Sequence, residues 1–210
     1  MRIGLMSDIH ANLENLLTAL ALFSAQRVDM ILCAGDLVGG GADGDEVVDL
    51  IRQREIPCVL GNHDEAAPRD QEYVRKWYAA TEEIDAPDLL REETITYLKA
   101  LPRTRALTVG EARLCVAHGT PWSNTTYLYP ISDPSLFDRA VQEGAADVLI
   151  LGHTHTPMCR QVGPTWIVNP GSVDGNRTDG RPSCAVMTLA PFAVTIYDLE
   201  ARRVIRTCGE

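Results

Sequence analysis

The sequence predicts an α/β chain in which two packed β-sheets carry helices on their outer faces. Three observations carry that expectation. Short apolar runs alternate with helix-period stretches through the first part of the chain, and the C-terminal part is β-rich with no helix between its strands. Residues able to do chemistry gather in the loops directly behind the strands.

Residues 2–6 read as a first strand, and Asn12 stands where it can cap a helix with Leu13, Leu16, Leu17 and Leu20 on one face. A second strand over 30–34 ends in Gly35-Asp36. The run Gly39-Gly40-Gly41 then leads through Asp43 and Asp45 into a helix with Val47, Val48, Leu50 and Ile51. A third strand over 56–60 ends in Gly61-Asn62-His63-Asp64. Consecutive units of this kind imply right-handed crossovers and a parallel sheet.

Residues 65–107 show no strand pattern. Two helical stretches are expected there, one with Tyr73, Val74, Trp77 and Tyr78, the other with Leu89, Leu90, Tyr97 and Leu98, separated by Pro87 and stopped by Pro102. This segment is read as a helical excursion flanking or lidding a site within one domain spanning 1–210. Residues 113–117 form a strand ending in His118-Gly119, and Asp133-Pro134 is a cap and first-turn pair for a helix running to about Gly144. A strand over 148–151 ends in Gly152-His153-Thr154-His155, and one over 165–168 ends in Asn169-Pro170-Gly171-Ser172. Strands over 184–189, 193–197 and 204–207 close the chain as a β-meander, which is what calls for the second sheet.

A length of 210 residues with 45% hydrophobic and 23% charged content suits a globular protein with a sizeable core. No apolar run approaches the ~18 residues of a membrane span, and Asp8 interrupts the N-terminus too early for a secretory segment. The expected location is therefore the cytoplasm, with no membrane partner. The six cysteines follow no zinc-finger or Cys-x-x-Cys spacing and several sit in apolar runs, so they are expected as reduced core thiols. A net charge of −10 and the lack of a basic patch argue against a polymeric nucleic acid as partner. A small phosphate ester stays open, because bound metal ions can reverse the sign of the field locally.

All five histidines (His10, His63, His118, His153 and His155) fall in loops behind expected strands, together with Asp8, Asp36 and Asn62. Taken singly, each histidine is read as a surface or satisfied core residue; taken together, they point to a metal. Oxygen and nitrogen donors without a thiolate suit manganese, iron, zinc or nickel better than calcium or a closed structural zinc. Even with His63 set aside, seven donors exceed the appetite of one ion, so two divalent ions bridged by a carboxylate are expected, manganese first among the candidates.

Asp8-x-His10, Gly35-Asp36, Gly61-Asn62-His63-Asp64, His118-Gly119 and Gly152-His153-Thr154-His155, in that order, resemble the five-motif signature of the calcineurin-like metallophosphoesterase superfamily. The resemblance spans nearly the whole chain and implies a four-layer αββα sandwich. It implies a first metal site of Asp8, His10, Asp36 and His155 and a second of Asp36, Asn62, His118 and His153, with Asp36 bridging. By the same resemblance, a hydroxide between the ions attacks phosphorus in line, His63 hands a proton to the leaving oxygen, and Asp64 orients the His63 ring.

Gly35-Asp36-Leu37-Val38-Gly39-Gly40-Gly41 lacks the arginine expected in the protein phosphatase branch. With Asn169-Pro170-Gly171-Ser172-Val173 it looks instead like the small prokaryotic phosphoesterases, some diadenosine-tetraphosphatase-like and some acting on phosphodiesters. The uncharged stretch 120–127 departs from that group, where a charged pair is expected after His118. Trp122 and Tyr127 there either stack a base or aryl group or pack under the loop. Amides of Gly39, Gly40 and Gly41, and the side chains of Arg177 and Arg181, are weaker candidates for holding phosphate. The expected activity is hydrolysis of a small phosphate ester, a phosphodiester or nucleotide-type substrate. The rivals are a phosphomonoesterase or protein phosphatase, a hydrolase with a single ion, and a non-catalytic scaffold of the same fold. The oligomeric state is open.

Overall fold

Strand β1 (Arg2–Met6) lies inside a five-stranded sheet, and its alternation fixes what each side of that sheet meets. Ile3 and Leu5 point into a core shared with a second sheet, while Met6 points the other way onto helix α1 (Leu13–Ala25), whose Phe23 is fully buried. Gly4 lies under Phe23: a Cβ there would sit 3.0 Å from the ring, so helix and sheet meet with no room to spare. In this computed structural model residues 1–81, 89–175 and 180–209 are described, without the side chains of residues 72–81.

The remaining elements in chain order are β2 (Met30–Cys33), α2 (Gly44–Gln53), α3 (Asn62–Thr81), α4 (Glu92–Ala100), β3 (Thr104–Val109), β4 (Ala112–Ala117), α5 (Pro134–Gly144), β5 (Val148–Ile150), β6 (Met158–Val162), β7 (Thr165–Asn169), β8 (Ser183–Leu189), β9 (Phe192–Asp198) and β10 (Arg203–Gly209). The first sheet runs β10-β9-β8-β1-β2 and the second β3-β4-β5-β7-β6. Both are mixed: β1 pairs parallel with β2 and antiparallel with β8, and β5 pairs parallel with β4 and β7. Ile3, Leu5 and Leu32 of one sheet meet Leu114, Val116, Ile150 and Val168 of the other. Outside the first sheet pack α1, α2 and α4 through Leu16, Phe23, Val47, Ile51, Ile95 and Leu98; outside the second packs α5 through Phe137 and Ala140. This is the expected four-layer αββα sandwich. Each fully buried Leu or Ile contributes about 1.5–3 kcal/mol to holding those layers together.

The caps read from the sequence are present. Asn12 accepts from the amide of Asn15, and Asp133 accepts from the amide of Ser135 with Pro134 in the first turn. Other expectations need correction. Residues 56–60 form no regular strand: Pro57 has no amide to give, and the segment joins β2 only through a bridge between Cys33 and Cys58. Helix α3 starts at Asn62, so Asn62, His63 and Asp64 belong to its first turn rather than to a free loop. Strands β3 and β6 were not expected; both are sheet-edge partners in hairpins, half exposed, and lack the dense apolar runs of the central strands.

The side chains of the aromatics placed on residues 73–78 lie outside what is described, as does Pro87. Cys159 and Cys208 are joined by a disulfide between the edge strands β6 and β10, so the expectation of six reduced thiols fails there. Cys33, Cys58, Cys115 and Cys184 are free and buried.

Candidate metal centre

The loops behind β1, β2, β4 and β5, and the start of α3, meet at one rim of the sandwich. Main-chain bonds zip the first two together: Asp8 N donates to the Gly35 carbonyl (2.9 Å), Ile9 N to that of Asp36 (2.8 Å) and Ala11 N to that of Leu37 (2.8 Å). The amide of His63 donates to Asp36 Oδ1 (2.8 Å), and that of His153 to Asp8 Oδ2 (3.0 Å). Gly61 has to be glycine, since a Cβ there would collide with the Asp36 carboxylate and backbone. Asp8, His10, Asp36, His153 and His155 all have left-handed backbone, with φ between 49° and 65°. Such conformations cost about 1–3 kcal/mol each for residues with a side chain and gather at functional sites.

All seven expected ligands converge. Single ligand atoms of Asp8, His10 and His155 lie within 4.8 Å of one another, as do those of Asp36, His118 and His153. Asn62 Oδ1 lies 3.0 Å from His118 Nε2. His63 falls in a third set with His10 and Asp36, its ring edge-on to that of His10 at 4.9 Å. Asp36 is common to the second and third sets.

Tautomers decide what this cluster can bind. His10 Nδ1 lies 2.6 Å from the Gly39 carbonyl and His118 Nδ1 lies 2.7 Å from that of Ala34. Each carbonyl holds a proton on Nδ1 and turns Nε2 inward. His10 Nε2 then faces His155 Nε2 at 3.2 Å, and His118 Nε2 faces Asp36 Oδ2 at 3.2 Å. Asp8 Oδ1 lies 3.1 Å from His155 Nε2, and His153 Nε2 is buried without a hydrogen-bond partner. Buried nitrogen and oxygen atoms converging in this way suit borderline divalent cations, with the Nε2 proton of His118 the one such an ion would displace.

Electrostatics agree. Burial works against charge on His118, but the Asp36 and Asp8 carboxylates outweigh it and lift its pKa to about 10. Burial likewise works against the Asp36 carboxylate, and His118 and His10 outweigh it, holding Asp36 below the usual carboxylate range. Burial and the charge on His118 push His153 down to about 4.

Asp64 departs from its expected role. Its Oδ1 accepts from the amides of Leu37 (2.8 Å) and Val38 (3.2 Å), and its Oδ2 from that of Gly61 (3.0 Å); none of these bonds reaches the His63 ring. Burial and the Asp36 charge push its carboxyl up to about 7 against those three donors. Asp64 therefore holds the 36–39 turn, whose Gly39 carbonyl fixes His10 and whose Gly39 Cα backs the His63 ring. The amide of Gly41 is spent on the His10 carbonyl (2.9 Å), which removes it from the phosphate-binding candidates. Arg181 is exposed, and Arg177 lies outside the described residues.

Sequence reasoning singled out the stretch 169–172 but not its bracing role, and it missed the bracing by Asn124. Ser172 Oγ donates to the Asp8 carbonyl (2.9 Å), and Asn169 Nδ2 to that of Gly152 (2.7 Å). Asn124 bonds Glu65 (2.8 Å) and accepts from Arg103 (3.1 Å), fastening the loop behind β4 to α3. The Ala34 and Gly39 carbonyls are main-chain atoms and leave no mark in the sequence.

An αββα sandwich with buried histidines and aspartates gathered at one rim presents a candidate metal centre. The calcineurin-like phosphoesterase superfamily domain matches residues 1–191, and the chain belongs to that family. It is 30% identical to a probable metallophosphoesterase of Methanothermobacter thermautotrophicus (82% of this chain, 77% of the relative). It is 24% identical to a phosphodiesterase of Methanocaldococcus jannaschii (89% and 92%). A solved metallophosphoesterase from Sphaerobacter thermophilus is 29% identical over 90% of this chain and 84% of its own, with a TM-score of 0.68. Phosphoester hydrolysis is the general activity that these relatives support.

Proposed function

We propose that the chain is a dinuclear-metal phosphoric ester hydrolase acting on small phosphodiesters, with manganese as the first candidate metal. One observation carries the reading: imidazole Nε2 atoms aimed inward by the Gly39 and Ala34 carbonyls converge with two carboxylates and the Asn62 amide oxygen. Asp8, His10, Asp36 and His155 would hold one ion, and Asp36, Asn62, His118 and His153 the other. Divalent ions held there supply Lewis-acid polarisation of the phosphoryl oxygens and a nucleophile at neutral pH.

The chain's own residues do the rest. Asp36, whose carboxylate falls in the ligand-spaced sets of His118 and His153 and of His10 and His63, would be shared between the two ions. His63 stands beside His10 and Asp36 with its ring partly exposed, where it can give a proton to the leaving oxygen. Asp64 positions that turn through its three main-chain bonds. The complete donor set favours an enzyme over a scaffold.

The test is hydrolysis of an activated aryl phosphodiester by purified protein with added manganese, which should collapse in Asp36→Asn. Protein that neither retains a metal nor turns over with any divalent ion overturns the reading. Two ions per chain at saturation separate it from a hydrolase with one.

A further inference from the structure

Residues 120–132 contain no charged side chain, in a chain whose net charge is −10. The three aromatics of this loop take different positions. Trp122 is half-buried, packed against the α5 core and covered by Arg139, whose guanidinium lies 4.0 Å from the ring centroid. Tyr127 is 48% exposed and lies flat on His153, with ring centroids 3.9 Å apart and planes within 19°. Tyr129 is parallel to Tyr127 within 10° at 5.5 Å. Leu128 points inward at 1% exposure while Ile131 stands at 95%, so alternate residues 127, 129 and 131 form an apolar strip leading away from the metal centre.

The strip is preorganised. Thr120 and Ser123 exchange main-chain bonds at 2.8 and 3.2 Å, Asn124 is tied to Glu65 and Arg103, and the Ser132 amide donates to the Tyr129 carbonyl at 2.9 Å. Rings held out in this way beside a reaction centre offer π-faces at little entropic cost to whatever stacks on them. The strip and His63 contact different histidines of the cluster. His63 meets His10 and Gly39, Tyr127 meets His153, and Asp36 belongs to both ligand sets.

We infer that the Tyr127–Tyr129 strip binds a planar, uncharged ring carried on the ester oxygen that does not leave. The substrate is then a diester with an aryl or nucleobase-bearing substituent on the His153 side, its leaving alcohol at His63. This rests on the phosphodiesterase reading above. Stacking supplies the recognition, since the strip offers no ion pair.

The test uses three diesters that share a 4-nitrophenolate leaving group and differ in the other substituent: methyl, phenyl and 5′-thymidyl. With manganese, wild-type KM should be about tenfold lower for at least one ring-bearing ester than for the methyl ester. The arm that gains distinguishes an aryl group from a nucleobase. Tyr127→Ala should erase that gain, bringing the ring-bearing and methyl esters to the same KM, Tyr129→Ala should reduce it, and Tyr127→Phe should keep it. Equal KM values for all three esters, or a Tyr127→Ala loss common to all, overturn the proposal while leaving the hydrolase reading intact. Weaker manganese binding by Tyr127→Ala would assign the ring to support of His153 and also overturn it. So would a dimer that Tyr127→Ala converts to monomer without a KM split. Inertness toward all three esters defeats the hydrolase reading itself.

Discussion

His118 Nε2 lies 3.2 Å from Asp36 Oδ2 while its Nδ1 is fixed 2.7 Å from the Ala34 carbonyl, so one imidazole joins the main chain of β2's loop to the carboxylate shared between ligand sets. That contact sets the proton inventory of the centre. With its pKa lifted from 6.5 to about 10, His118 carries a proton at pH 8 that an incoming ion has to displace. Calorimetry at pH 8 in two buffers of different ionisation enthalpy should therefore show about one proton released on manganese binding. Heats independent of the buffer would contradict this.

The same shift fixes a sign for stability. A histidine whose folded pKa is raised contributes stability that is complete below its unfolded value, 6.5, and lost as pH rises through about 10. Chelated protein should show a Tm that falls across that window. Manganese-saturated protein should not show this fall, because the ion replaces the proton.

For His63→Ala, turnover should fall by about 10²–10⁴ with both ions retained, which is the cost of removing a proton donor. Metal analysis beside steady-state rates checks it. His63 also lies in a ligand-spaced set with His10 and Asp36, so loss of an ion from the variant would make it a ligand instead.

Asp64→Ala removes the acceptor for three buried main-chain amides, those of Leu37, Val38 and Gly61. A loss of about 3 kcal/mol in unfolding free energy is expected, read by urea denaturation. An intact stability with only a changed rate would restore the role of orienting the His63 ring.

Gly39→Ala should lower turnover with little change in fold. The position has φ +89°, and a Cβ there would press on the His63 ring, at 2.7 Å from Nδ1. Unchanged kinetics would show that His63 is free to shift without cost.

Much of the site was legible because donor identity is written in short local motifs. Asp8-x-His10 and His153-x-His155 each deliver two donors from one loop, and all five histidines stand behind apolar runs. The Asn12 and Asp133 caps were equally readable, since capping is a contact between near neighbours. Edge strands β3 and β6 were not readable, because hairpin edges need no strong apolar signal of their own. The Cys159–Cys208 pair was hidden for another reason: 49 residues separate two cysteines that only the meeting of two sheet edges brings together.

By itself the sequence determined the chemistry available: which residues can give an oxygen or a nitrogen, and that the fold's strand ends deliver them to one rim. Tertiary structure decided how that chemistry is aimed. The tautomers of His10 and His118 are set by main-chain carbonyls 29 and 84 residues distant, Asp64 is claimed by backbone amides, and Trp122 is covered by Arg139 while Tyr127 is left facing outward. The physical reason is that a side chain's donor type is local, whereas the direction of its lone pair depends on partners that only the folded chain brings within hydrogen-bond distance.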